Sequence, residues 1–122
     1  MKQRVCGRKD AEQRLADAKQ FLEAAEILDS PDVVATNAIH AAIAASDVLT
    51  CLQFGQRSNS GNHSDAVGLL RQVDANLALT LKRALDRKNQ ASYESADISS
   101  IDAARCVRWA KQLVDEAVKR LP

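Results

Sequence analysis

Apolar residues recur every three or four positions along most of the chain, which is the spacing of one face of an α-helix. Residues 1–9, "MKQRVCGRK", are basic and lack this spacing. The pattern becomes helical from Asp10, which is placed to cap a first helix. The sequence therefore predicts a flexible basic N-terminal arm over residues 1–9 and a single helical domain over residues 10–122.

A second helix is predicted where "LDSPDVV" interrupts the first, because Ser30 suits an N-cap and Pro31 suits the first helical position. This helix runs to Leu52, and its stretch "AIHAAIAASDVLTCL" is apolar on most sides. A helix that is apolar nearly all round is buried. We therefore expect it to be the central and most buried helix of the domain.

The few polar residues of the second helix fall on one side of it. Thr36, His40 and Asp47 lie within a narrow arc when the residues are placed at about 100° intervals. His40 and Asp47 are two turns apart, so they share a face but are separated by about 10 Å along the axis. Ala44 leaves room between them. The arc predicts either a polar cleft or an ordinary helix face with a hydrogen-bonded histidine.

Three more helices are predicted after a loop at residues 54–63, which is rich in glycine, serine and asparagine. The third begins at Ser64, Asp74 caps the fourth, and Ser99 or Ser100 caps the fifth. The fifth helix is expected to bury Ile101, Ala104, Val107, Val114, Ala117 and Leu121. The predicted fold is an all-α, antiparallel bundle of four to five helices without strands.

Composition supports this fold and limits the classes of function. Hydrophobic residues make up 46% of the 122 residues but aromatic residues only 3%, so small aliphatic side chains must fill the core. A sheet would favour more β-branched and aromatic residues. The net charge of +1 gives no global electrostatic attraction for nucleic acid. Binding to RNA or DNA would therefore need a local basic patch.

The cysteines and the hydropathy pattern bear on location. Cys6, Cys51 and Cys106 are odd in number and have no metal-ligand spacing. We see no signal region and no 18-residue apolar run that would span a membrane. No metal site and no cofactor is expected. These features predict a reduced, cytoplasmic protein that does not associate with a membrane.

A cluster of basic and polar residues lies in "LDRKNQASYES", near the end of the predicted fourth helix. Arg87, Lys88 and Asn89 are consecutive, and Tyr93 is one helical turn beyond Asn89. The cluster is consistent with an anion site. It is also consistent with an ordinary helix C-terminus, where the helix dipole favours cations.

Two more residues have two interpretations each. His63 ends the glycine-rich loop, where it either caps the third helix or reaches a cleft. Trp109, the single tryptophan, lies on the more polar side of the fifth helix. It is either a half-buried residue at the edge of the bundle or an anchor at a subunit interface, where tryptophan is enriched.

Several segments in this order resemble a HEPN domain of the small, stand-alone actinobacterial type. They are "NAIHAAIAASDVLTCLQFG", a glycine-rich loop, "HSDAVGLLRQV", "LKRALDRKNQASY" and "DISSIDAARCVRWAKQLVDEA". The resemblance covers residues 10 to 121. It implies a helical bundle, a homodimer and, in many members, a metal-independent ribonuclease that acts as a toxin or defence effector.

The family signature is an arginine, often followed by a polar residue, with a histidine four to six residues later. The resemblance places Arg87 or Lys88 in the cationic position and Asn89 in the polar one. Tyr93 lies in the histidine window, and a tyrosine of ordinary pKa near 10 is a poor general base at neutral pH. His40 or His63 would then have to supply acid–base chemistry.

The sequence thus predicts an HEPN-like protein that binds RNA or nucleotides in a toxin–antitoxin or defence setting, with ribonuclease activity left open. The predicted cleft comprises His40, Asp47, Arg87, Lys88, Asn89 and Tyr93, with His63 contributed by the loop. His40, Arg87 and Tyr93 are the candidate catalytic residues, and the others are candidate anion-binding residues. The alternative is a non-catalytic helical module that binds a protein partner.

Overall fold

The computed structural model describes residues 3–59, 63–93 and 98–121, and only the backbone over residues 88–93. Within these ranges the chain forms five helices and a two-stranded sheet. In chain order the elements are β1 (Gln3–Val5), α1 (Arg8–Ile27), α2 (Pro31–Phe54), β2 (Gln56–Ser58), α3 (His63–Arg71), α4 (Ala75–Tyr93) and α5 (Ser100–Arg120). The prediction of an all-α bundle is confirmed, and the sheet is a small addition to it.

Helix α2 is the centre of the bundle and packs against all four other helices. Ile39, Val48 and Leu49 are fully buried on it, and alanines fill most of the remaining contact surface. Alanine favours the helix and allows neighbouring helices to approach closely. The prediction that the second helix is the most buried is confirmed.

The length and composition of α2 meet the criterion for a membrane-spanning helix, with a mean hydropathy of 1.3 over 18 residues. The prediction that no apolar run is long enough to span a membrane is therefore wrong for α2 by this criterion. In the structure 67% of that window is buried inside the bundle. Core helices of bundles meet the same criterion, and burial accounts for the apolar character of α2.

Local capping signals correctly predict where several helices begin. Asp74 accepts hydrogen bonds from the backbone amides two and three residues later, at 2.8 and 3.1 Å. The Ser99 hydroxyl accepts one from the amide three residues later, at 3.0 Å. Helix α1 begins at Arg8, earlier than predicted, and the Asp10 carboxylate accepts a hydrogen bond from the Gly7 amide at 2.9 Å. Asp10 therefore acts from inside the first turn.

The segment before α1 differs from the flexible arm that the sequence predicts. Residues Gln3–Val5 pair in antiparallel register with Gln56–Ser58. The Cys6 amide donates a hydrogen bond to the Gly55 carbonyl at 2.9 Å. Cys6 also forms a disulfide with Cys51, with the two Cα atoms 5.8 Å apart. The expectations of a strandless, fully reduced chain are therefore wrong for this end of the bundle.

Gly55 makes that arrangement possible. Its φ of 68° is in the left-handed region, which ends α2 directly after Phe54. Its amide donates to the Cys51 carbonyl at 2.8 Å, and the chain then turns back into β2. The sequence predicts a loop over residues 54–63 because a three-residue strand such as β2 carries no periodic pattern.

The buried face of α5 is partly rotated from the predicted one. Val114, Ala117 and Leu121 are buried as predicted, but Ile101 and Ala104 are exposed. The first half of the helix instead buries Ala103, Cys106 and Ala110. Small side chains let α5 approach the alanine-rich α2 closely, and this packing overrides the preference for burying the larger isoleucine.

Candidate functional site

Arg87 lies on α4 and faces α5. Its Nη1 atom is 3.9 Å from Oδ2 of Asp102, and its side chain is 35% exposed. The other oxygen of Asp102 accepts a hydrogen bond from Nη1 of Arg105 at 3.1 Å. One carboxylate is therefore shared by two arginines, and the longer contact is the one with Arg87.

Arg87 lines a hollow of about 260 Å³ together with Arg83, Asp86 and Trp109. Trp109 is half-buried and packs against the core on one side. Arg83 is exposed, and in the described part of the chain no carboxylate oxygen lies within 4.0 Å of its guanidinium group. The hollow thus combines two arginines, one acid and one indole ring.

The site predicted from the sequence lacks Arg83 and has no link between Trp109 and Arg87. The sequence does contain a signal for Arg83, because Arg83 and Arg87 are four residues apart and so share a helix face. It contains no signal for the link between Trp109 and Arg87, because the approach of Trp109 to that face depends on how α5 packs against α4. Spacing within one helix is visible in a sequence, whereas contacts between helices are not.

His63 lies elsewhere, at the start of α3. It lines a second hollow of about 360 Å³, between α3 and α4, whose other lining residues are Ser64, Val67, Arg71, Lys82, Leu85 and Asp86. Lys82 Nζ is 2.8 Å from Asp86 Oδ2 there, and both side chains are exposed. Asp86 lines both hollows, so the exposed ridge of α4 separates the surroundings of His63 from those of Trp109.

His40 is exposed on α2 and packs against α1. Its ring stacks on Phe21, with the ring centroids 5.2 Å apart and the planes inclined by 30°. One turn earlier, the Thr36 hydroxyl donates a hydrogen bond to the Asp32 carbonyl at 2.8 Å. The predicted polar arc is therefore a helix face that is exposed at one end and becomes buried towards Asp47.

Asp47 is the buried end of that arc and is held by two arginines. Its Oδ2 atom accepts hydrogen bonds from Nε and Nη2 of Arg14, at 3.0 and 2.8 Å. Nη1 of Arg57 on β2 donates a third at 3.3 Å. Burial raises the pKa of the Asp47 carboxyl, and the two guanidinium groups offset part of that rise. Asp47 thus joins α1, α2 and β2.

The described contacts give the predicted site residues different neighbours. Arg87 lies beside α5, His40 beside Phe21 on α1, and Asp47 beneath Arg14. The side chains of Lys88, Asn89 and Tyr93 lie outside the described residues, so the single shared cleft stays a prediction. Within the described part of the chain, no three His, Cys, Asp or Glu side chains are grouped as they would be to hold a metal ion.

Comparison with known proteins does not assign the chain to a family. The HEPN resemblance stays a prediction from the sequence. The chain matches no protein-family model, and a search of curated proteins finds no match.

Proposed function

We propose that this HEPN-like protein binds RNA or a nucleotide through the face formed by α4 and α5. The observation that carries the proposal is the hollow in which Arg83 and Arg87 lie with Trp109. Guanidinium groups bind phosphate oxygens through paired hydrogen bonds. An indole ring offers a surface on which a base stacks. A ligand that carries both groups is a nucleotide or a single-stranded nucleic acid.

The local contacts favour an anion at the two arginines. Charge-assisted hydrogen bonds are about 2.8 Å long, whereas Arg87 is 3.9 Å from Asp102. A phosphate oxygen at hydrogen-bonding distance from Arg87 would therefore make a stronger contact than Asp102 does. Arg83 is not paired with an acid in the described part of the chain. Asp86 and Asp102 reduce the positive potential, so we expect moderate, salt-sensitive affinity.

The wider setting follows from the HEPN resemblance and belongs to the same proposal. It comprises a cytoplasmic homodimer acting in a toxin–antitoxin or defence system. Ribonuclease activity would require acid–base chemistry, for which His40 and His63 are the candidates. If the protein cleaves RNA, His40→Ala abolishes cleavage more than binding, whereas Tyr93→Phe tests the hydroxyl and keeps the ring for stacking.

The test is the binding of fluorescently labelled, single-stranded RNA, followed by anisotropy over a range of salt concentrations. Replacing Arg83 and Arg87 by alanine should weaken binding and reduce the slope of log K against log salt by about 0.7 for each phosphate group that is no longer bound. Arg87→Ala with Lys88→Ala should act in the same direction. The control is Lys9→Ala with Lys19→Ala, which removes two exposed charges from α1 and should leave the slope unchanged.

Two outcomes contradict the proposal. One is the absence of RNA and nucleotide binding at low salt, where a phosphate site is strongest. The other is an equal loss of affinity in the α1 control, which would indicate a general effect of charge. Thermal stability should stay nearly unchanged when Arg83 and Arg87, or Lys9 and Lys19, are replaced, because these side chains are at least partly exposed.

A second candidate function, a protein-interaction module, is favoured by a different surface. Ile27 and Ile101 are 78% and 67% exposed. Their neighbours in the chain line a groove of about 430 Å³ between the α1–α2 turn and α5, whose apolar lining residues include Leu28, Val34 and Val107. Exposed apolar patches often mark protein interfaces. If RNA does not bind, and Ile101→Ser disrupts self-association or a complex, this candidate replaces the first.

A further inference from the structure

The described attachments of residues 3–6 to the bundle include a short sheet, one covalent bond and the buried Cys6 side chain, which is 6% exposed. Strand β1 has three residues, all exposed, and pairs only with the equally short β2 in the described structure. An isolated two-stranded ribbon is marginally stable in water. The disulfide between Cys6 and Cys51 is therefore the strongest of the described attachments.

The sheet is also imperfect on its inner side. Among the described residues, Ser58 on β2 has a buried hydroxyl with no hydrogen-bond partner. A buried polar atom in this state lowers the stability of the structure that buries it. Opening the sheet would give this hydroxyl access to water. The β1–β2 pairing is therefore expected to separate readily when its covalent link is cut.

The third cysteine does not take part in this region. Cys106 is fully buried on α5, and burial together with the nearby Asp102 charge raises the pKa of its thiol to about 11. The thiolate is the species that attacks a disulfide. Cys106 is therefore unsuited to exchange with Cys6 or Cys51, and the chain contains a single reversible pair.

We propose that the Cys6–Cys51 disulfide is a redox-sensitive latch that holds β1 on β2 and opens when a dithiol reduces it. The thiolate of the dithiol attacks one sulfur, which breaks the S–S bond and forms a mixed disulfide. The second thiol then displaces the remaining protein sulfur. Two electrons and two protons pass to the protein, which gains two thiols, while the dithiol becomes a disulfide.

The opened state has a defined structural consequence. Residues 3–6 leave β2, and the Gly55 carbonyl loses the Cys6 amide. Strand β2 then exposes its hydrogen-bonding edge, and Arg57 is less firmly held over Asp47. The α4–α5 hollow has no residue in this region, so the latch is independent of the proposed nucleotide site. In a reducing compartment such disulfides are usually transient and redox-sensing.

The test uses the full chain, oxidised and then treated with dithiothreitol without denaturant. Iodoacetamide followed by mass spectrometry should label no cysteine before treatment and both Cys6 and Cys51 after it, with Cys106 protected. Hydrogen–deuterium exchange at residues 3–6 and 56–58 should become about tenfold faster or more on reduction. Exchange in the core helices α2 and α5 should remain unchanged.

Variants identify the cause of the change. Cys106→Ser should keep the full response to reductant, whereas Cys6→Ser with Cys51→Ser should show the fast exchange with or without it. A disulfide that resists dithiothreitol until denaturant is added is a structural link and overturns the proposal. Reduction that leaves the exchange at residues 56–58 unchanged overturns it as well. Both outcomes are read on the wild-type chain, so they do not depend on whether the double variant folds.

Discussion

Arg14 and Asp47 are 33 residues apart in the chain, yet the Arg14 guanidinium donates two hydrogen bonds to a single carboxylate oxygen, at 2.8 and 3.0 Å. Arg57 reaches the same oxygen from β2 at 3.3 Å. A carboxylate this deeply buried carries a large desolvation cost, which only close partners offset. This cluster therefore ties α1 and β2 to the central helix.

Removing Arg14 and Arg57 one at a time should show that they contribute unequally to the free energy of unfolding. Arg14→Ala leaves a buried carboxylate with one weaker partner and should lower the free energy of unfolding by roughly 3 kcal/mol. Arg57→Ala removes a single longer hydrogen bond and should cost about 1 kcal/mol. Lys111→Ala is the control, because its pair with Asp115 is exposed. Urea denaturation that shows equal losses for the two arginine variants would contradict this ranking.

The raised pKa of Asp47 predicts how stability depends on pH. The folded state binds this proton more tightly than the unfolded state, where the carboxyl has its ordinary value of 3.8. The stabilisation that the bound proton gives the folded state is complete below that value. It is lost as the pH rises through the pKa of Asp47 in the folded state. As the pH falls from neutral to about 4, the wild type should therefore become more stable relative to the Asp47→Asn variant. A relative loss of stability on acidification would show that the arginines dominate over burial.

Cys106 supplies a second pH dependence, at the alkaline end. Its thiol pKa rises from an ordinary 9.0 to about 11 in the folded state. The corresponding stability is fully present below pH 9.0 and is lost as the pH rises through about 11. Other groups titrate there too, so the measurement is the difference between wild type and Cys106→Ala. That difference should shrink across this range, and a constant difference would contradict the prediction.

The features that could be predicted from the sequence are those encoded locally. Asp74 and Ser99 cap helices through amides within three residues, and the apolar run of α2 marks the core. The features that were missed depend on contacts between distant segments. Arg4 on β1 pairs with Arg57 more than fifty residues later. The convergence of Arg14 on Asp47 is non-local in the same way, because it requires the packing of α1 on α2.

Packing between helices, and not the local apolar pattern, decides which face of α5 is buried, and this can be tested. Ile101 is 67% exposed, so Ile101→Ser should change the free energy of unfolding by about 0.5 kcal/mol or less. Leu113 is fully buried, and Leu113→Ala should cost about 2–5 kcal/mol. Thermal or urea unfolding of the two variants decides the matter. A large loss for Ile101→Ser would restore the register predicted from the sequence.

Trp109 can report directly on the proposed site, because it is the only tryptophan in the chain. A base that stacks on the indole should quench its fluorescence in a saturable way when a mononucleotide is added. Arg87→Ala should raise the nucleotide concentration for half-quenching about tenfold, since it removes a charged hydrogen bond to phosphate. Lys19→Ala, which removes an exposed charge from α1, should leave that concentration unchanged.

The same signal separates the two interpretations of Trp109. If the residue anchors a subunit interface, its emission should shift to longer wavelength as the protein is diluted and the dimer dissociates, because the indole then meets water. Nucleotide would have no saturable effect in that case. Emission that is constant on dilution but quenched by nucleotide places the ligand at the α4–α5 hollow. Emission that responds to dilution alone would contradict the stacking role and support the homodimer instead.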